Sequence, residues 1–189
     1  MQSVLIVGVG GQGVLLASEL LSAAALEAGF DVKKSDVHGM SQRGGSVSSY
    51  VRFGDKVFSP LIPIGGADVI LAFESAEALR WIHFLKPGGA CVVNDKQLVP
   101  PIALIQKEPG YPIDVVERIR KHTDRVTLVQ ADSIASELGN PKVENVVLLG
   151  ALSASLDIPE AVWTSVIRGR VPKGTEDINL AAFNRGRLV

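Results

Sequence analysis

The segment that most limits what this chain can fold into is Gly8-Val9-Gly10-Gly11-Gln12-Gly13. It follows a short apolar run, residues 3–7, and precedes a stretch rich in leucine and alanine, residues 14–28. A β-branched run bounded by glycine is the pattern of a buried parallel strand. In residues 14–28 the polar positions are limited to Ser18, Glu19, Ser22 and Glu27. That spacing predicts a helix covered over most of its circumference, with Gly29 as its stop. Gly8, Gly10 and Gly13 therefore sit between a strand and a helix, where a G-x-G-x-x-G pattern has physical meaning. Residues 30–36 read as a second strand, which completes a βαβ unit with a right-handed crossover.

Without Cβ atoms the turn can bend tightly and approach a neighbour, and the free amides of the helix start then face an anion. Gly11 opens the turn further. Three uses stay open at this point: a dinucleotide such as NAD or FAD, another phosphate-bearing ligand such as coenzyme A, or close packing alone. A dinucleotide also wants an acid about 20 residues on, at the end of the second strand. Asp31 comes too early for that and Asp36 late. Lys33 and Lys34 hold the best positions and carry a charge suited to a phosphate rather than a ribose.

Further along, residues 46–53 alternate, with Val47, Ser49, Val51 and Phe53 on one face and Ser46, Ser48, Tyr50 and Arg52 on the other. Gly54-Asp55 supplies a turn and residues 56–58 begin a return strand, which predicts an inserted β-hairpin at one sheet edge. The α/β rhythm then resumes. Strands are expected at 68–73, 90–94 and 126–130, and helices at 75–85, 113–122 and 133–138. Residues 99–112 hold four prolines and read as a surface crossing with one short strand. Beyond 139–141 only helices follow, at 143–156, 159–168 and 177–185. The expected fold is α/β: a Rossmann-like, mostly parallel sheet with helices on both faces, a β-hairpin inserted after the second strand, and a helical C-terminal part. With no repeat or linker, residues 1–189 form a single domain.

Bulk properties narrow the function. The 189 residues are 47% hydrophobic and 21% charged, a globular profile. The mean hydropathy of +0.26 points to surface buried against a partner. Nineteen basic residues against 20 acids leave a net charge of −1, so no basic field favours nucleic acid. No apolar run approaches the roughly 20 residues that span a bilayer, and residues 1–7 read as a first strand rather than a signal peptide. A cytoplasmic chain without membrane contact is expected. The single cysteine, Cys91, excludes an internal disulfide. It also falls short of the about four thiolates of an iron–sulfur cluster. His38, His83 and His122 lack metal-ligand spacing, so no metal is expected. Cys91 and Trp163 read as core, and His83 as packed or interfacial beside Trp81 and Phe84. Glu74 and Glu77 favour a helix start, with Glu74 able to reach a crevice at the strand ends.

A second segment carries chemistry: His38-Gly39-Met40-Ser41-Gln42-Arg43-Gly44-Gly45-Ser46. As a loop after the second strand it belongs at the carboxyl end of the sheet, beside the glycine turn. Gly44 and Gly45 offer backbone amides, Ser41 a hydroxyl, Gln42 an amide and Arg43 a guanidinium, in outline an anion or acyl-carrier site. Arg43 is the natural bidentate anchor for phosphate or carboxylate. Alternatively, Arg43 pairs with a nearby acid and the glycines only shape the turn.

Together, the two segments resemble the gamma-type domain of the 2-oxoacid:ferredoxin oxidoreductases, with the indolepyruvate branch nearest. The resemblance runs through Gly8–Val14, His38–Val47, Val51-Arg52-Phe53, Ser59-Pro60-Leu61-Ile62-Pro63, Leu85-Lys86-Pro87-Gly88-Gly89, Asn145–Ala151 and Arg170-Val171-Pro172-Lys173, essentially the whole chain. It implies an enzyme that decarboxylates a 2-oxoacid on thiamine diphosphate, passes electrons through iron–sulfur clusters to ferredoxin and releases an acyl-CoA. This chain lacks a Gly-Asp-Gly segment with a following Asn-Asn pair, and it lacks cluster ligands. Thiamine diphosphate, Mg and 4Fe-4S clusters are thus expected on a larger partner subunit, through which ferredoxin is reached. The chain itself is expected to hold no catalytic residue and no cofactor alone. Its implied role is to complete the active-site cleft and to contact coenzyme A as co-substrate. The candidate contacts are Gly8, Gly10, Gly11, Gln12, Gly13, Ser41, Gln42, Arg43, Gly44 and Gly45, with His38, Met40 and Arg43 at the subunit interface. The competing readings are a free-standing NAD- or FAD-binding oxidoreductase and a pure assembly scaffold.

Overall fold

The computed structural model describes residues 1–38, 45–98 and 111–189, with His38 described by its backbone alone. The chain runs through β1 (Gln2–Val9), α1 (Val14–Glu27), β2 (Asp31–His38), β3 (Ser46–Gly54), β4 (Ala67–Ala72), α2 (Ser75–Trp81), β5 (Leu85–Asn94), α3 (Val115–Arg120), β6 (Val126–Val129), α4 (Ala131–Glu137), α5 (Glu144–Ser153), α6 (Glu160–Arg170) and α7 (Glu176–Arg187). One mixed sheet has the order β2-β3-β1-β4-β5-β6. Strands β1, β4, β5 and β6 are parallel neighbours, and β3 is antiparallel to both β1 and β2.

Both faces of the sheet are covered, and β1 shows why it reads as a continuous apolar run. Val4 and Ile6 pack into one core with α1 and the C-terminal helices. Leu5 and Val7 point the other way, into a core shared with Ala78 of α2 and Ile119 of α3. Alternation with period two on a strand buried on both sides demands apolar residues at every position.

The fold class expected from sequence is the one observed, and the detail of the hairpin differs. It is β2 and β3 themselves, paired from Asp31↔Gly54 to His38↔Val47, and β3 lies between β1 and β2. The return strand expected at residues 56–58 does not form, because the groups it would pair are used elsewhere. Val57 N donates to Asp31 Oδ2 at 2.8 Å, and Arg52 Nη1 donates to the carbonyls of Ser59 and Leu61 at 3.0 Å each. Ser48 and Ser49 looked like an alternating polar pattern, yet both are buried, as an interior strand requires. Likewise the helix expected at 75–85 does not run up to Pro87-Gly88-Gly89. The helix stops at Trp81, a 3-10 turn follows at Ile82–Phe84, and the three residues lie inside β5 at a register shift. The expected short strand within 99–112 falls almost wholly outside the described residues.

The C-terminal helices are held by close backbone contact. In α5 every residue from Asn145 to Ser153 is buried. A Cβ on Gly150 would lie 2.1 Å from Phe183 O, and one on Gly186 would lie 1.9 Å from Val147 O. The two glycines thus let α5 and α7 cross with backbone against backbone.

Candidate ligand pocket at the carboxyl ends of the strands

The glycine turn divides its residues between packing and access. A Cβ on Gly8 would meet Val14 Cγ2 at 2.8 Å and Phe73 Cβ at 2.9 Å, so this glycine serves close strand–helix packing. Gly11 and Gly13 take φ of 100° and 88°, which side-chain-bearing residues rarely adopt. Around Gly11 nothing lies within 4 Å of where a Cβ would be, whereas Gly13 abuts Asn145. Gly10 N donates to Gly45 O at 2.9 Å, which ties the turn to the start of β3. The predicted neighbourhood of the two segments therefore holds for Gly45. Gly39, Met40, Ser41, Gln42, Arg43 and Gly44 lie outside the described residues.

Gln12 plugs the switch point between β1 and β4. Its Oε1 accepts from Val9 N at 2.7 Å and its Nε2 donates to Phe73 O at 3.0 Å. In an open α/β sheet this crevice is where a dinucleotide lies; here a side-chain amide fills it. The second strand is also displaced. With β3 interposed, β2 runs two strand spacings, roughly 10 Å, from β1 rather than beside it. Its charges are matched locally as well. Lys34 Nζ pairs with Asp36 at 2.9 Å and Lys33 with Asp31 at 2.5 Å. The hydrogen bond from Lys33 is the main reason Asp31 sits below the ordinary carboxylate range. The geometry that an NAD or FAD site needs is absent from these described residues.

Beside the plug, the start of α1 is open. Gly13 takes the N-cap position without a side-chain cap, and no acid stands in the first turn. The free amides and the helix dipole thus face a cavity of about 420 Å³, lined by Gly11, Gln12, Gly13, Lys96, Lys142 and Asn145 among others. Asn145 is 7% exposed, and its Oδ1 is buried without a hydrogen-bond partner. An unmet buried acceptor is costly. Lys96 is tied down, since its Nζ reaches both oxygens of Glu144 at 2.9 and 2.8 Å. Asn94 Nδ2 donates to the same carboxylate at 2.7 Å, and Asn94 Oδ1 accepts from Ala131 N. Lys142, by contrast, pairs with no carboxylate among the described residues. The pocket therefore offers one uncommitted ammonium and a helix N-terminus, with the Asn145 side chain in its wall.

Sequence reasoning found the glycines and missed Lys96, Lys142, Glu144 and Asn145 as pocket residues. Asn145 stood inside a quoted segment, but nothing in its spacing tied it to Gly13, 132 positions earlier by number. Glu74 is not at the crevice. It is buried, caps α2 by accepting from Glu77 N at 2.9 Å, and accepts the Tyr111 hydroxyl. Burial, and then that bond to Glu74, hold the Tyr111 hydroxyl well above its ordinary pKa. Glu77 is also buried, accepting from Ser46 Oγ at 2.5 Å and Arg80 Nε at 2.9 Å. Among the described residues no cluster of His, Cys, Asp and Glu could hold a metal ion, and no helix is long and apolar enough to cross a membrane.

Comparison with known proteins converges on one family. A family model described as pyruvate ferredoxin/flavodoxin oxidoreductase matches residues 3–189. The chain is 44% identical to the indolepyruvate oxidoreductase subunit IorB of Thermococcus kodakarensis, covering 97% of this chain and 93% of that protein. It is 43% identical to the subunit of the same name from Pyrococcus horikoshii, with the same coverage. Among solved structures, the pyruvate oxidoreductase subunit PORC of Thermotoga maritima superposes with a TM-score of 0.73 at 24% identity, covering 98% of this chain and 94% of that one.

Proposed function

The chain belongs to the pyruvate ferredoxin/flavodoxin oxidoreductase family, and from that premise we propose that it is the small, cofactor-free subunit of an oxidoreductase acting on indolepyruvate or another aryl pyruvate. Identity of 44% and 43% to two indolepyruvate oxidoreductase subunits supports the substrate class. In this reading thiamine diphosphate, Mg and the iron–sulfur clusters reside on the larger subunit, which also meets ferredoxin. The residues of this chain do not fit those groups. Its single thiol, Cys91, is fully buried in β5, and burial pushes its pKa from 9.0 up to about 12. A thiol so held is no cluster ligand. The chain contributes shape and electrostatics rather than chemistry.

The observation that carries the reading further is the pocket at the α1 N-terminus. Gly11 and Gly13 bare its amides, Lys142 adds a cation, and the Asn145 side chain stands in its wall. A phosphate of coenzyme A fits the amides and Lys142. Ser41, Gln42 and Arg43, which follow β2 in the sequence, stay candidate contacts for such a ligand, and His38 and Met40 candidate contacts for the larger subunit. The test is steady-state kinetics of the assembled enzyme carrying Lys142→Ala. Loss of one charge-assisted contact worth roughly 1.5 kcal/mol should raise the KM for coenzyme A about tenfold while kcat holds. An unchanged KM would remove coenzyme A from this pocket.

A further inference from the structure

At the opposite end of the sheet, residues 55–66 join β3 to β4 without regular secondary structure, yet they are pinned along their length. Val57 and Ile62 are buried. Val57 N is held by Asp31, and the carbonyls of Ser59 and Leu61 are held by Arg52. Gly65 N donates to His83 O at 3.1 Å and Gly66 N to Pro63 O at 2.9 Å. Held this way, the segment turns large apolar side chains outward: Phe58 is 85% exposed, Leu61 61% and Ile64 73%. Met1, 68% exposed, joins them, its sulfur 3.4 Å from Arg52 Nη2.

Summed over the four side chains, on the order of 500 Å² of apolar surface lies open at this end of the sheet, the scale of areas that mark interaction sites. A standard interface takes about 800 Å² from each partner, so this platform supplies more than half of one. Its fixed backbone also keeps the ordering cost of association low. Its charge selects among occupants. Arg52 bonds only neutral acceptors, namely Ser3 Oγ, two carbonyls and the Met1 sulfur, with no carboxylate partner among the described residues. Lys56 lies over the Phe58 ring, 5.1 Å from its centroid. Against these cations Asp55 is the one acid in residues 55–66. A two-fold contact between copies of this chain would bring like charges together around Arg52.

We propose that this amino-end platform docks the larger catalytic subunit, through an apolar surface of that subunit carrying a carboxylate opposite Arg52. The proposal rests on membership in the multi-subunit family and not on the coenzyme A pocket, which lies at the other end of β1. The test uses the complex with its co-expressed larger subunit and the double variant Phe58→Ser/Leu61→Ser, both positions being exposed. The expected result is a dissociation constant raised roughly thirtyfold, the scale of an interface hot spot. High salt should weaken the wild-type complex, the isolated variant should melt with the wild type, and residual complex should keep its KM for coenzyme A. Ile64→Ser should act in the same direction. Wild-type affinity in the double variant would overturn the proposal. So would an isolated wild-type chain that dimerises and a variant that does not, with affinity for the larger subunit intact.

Discussion

Gln12 shows how one side chain can change the use of a familiar turn. The glycine spacing from Gly8 to Gly13 is that of a dinucleotide fold, but the Gln12 amide bridges Val9 N and Phe73 O across the switch point. The site proposed for coenzyme A lies instead on the outer side of the turn, where Gly11 and Gly13 leave the α1 amides bare. Cys91 is the other residue whose setting overrides its chemistry. As an acid group with a raised folded pKa, it contributes stability below its ordinary value and loses it as pH climbs toward about 12. At pH 8 the folded chain should therefore resist iodoacetamide while the urea-unfolded chain alkylates promptly, as mass spectrometry would read. Rapid labelling of the folded chain would show that β5 opens or that the thiol is not where its burial puts it.

At the scale of elements, what was legible is what is local. The buried run of β1, the helix after the glycine turn, the β4 to β6 strands and the C-terminal helices all announce themselves through period and neighbours in sequence. Pairing is not local. Ser48 and Ser49 pattern as a half-exposed strand, and only the insertion of β3 between β1 and β2 buries them. For the same reason half of the candidate site was unreadable. Gly11 to Gly13 are contiguous, but Lys96 follows β5, Lys142 lies in the turn before α5 and Asn145 in the first turn of α5, and only the fold brings the three together. The α5–α7 crossing depends equally on distant partners. Gly150→Ala places a methyl group 2.1 Å from Phe183 O, backbone that cannot yield cheaply. The substitution should destabilise the chain by about 3 kcal/mol, at the upper end for overpacking, as a denaturant midpoint would record. A loss under about 0.5 kcal/mol, the range of neutral surface changes, would mean the helices are not packed this closely.

The whole molecule presents two working ends separated by the length of β1, eight residues or roughly 26 Å. The carboxyl end carries the open helix start proposed for coenzyme A, and the amino end carries the apolar platform proposed for docking. Among the described residues no cluster of side chains could hold a metal ion, and Cys91 is buried in β5. The account therefore turns on dependence: an enzyme whose cofactors lie elsewhere should still need this chain. The direct measurement is coenzyme-A-dependent oxidation of indolepyruvate by the larger subunit, loaded with thiamine diphosphate and its clusters, with and without this chain added back. The account predicts that the larger subunit alone is inactive and that stoichiometric addition of this chain restores turnover. Full activity without it would contradict the account.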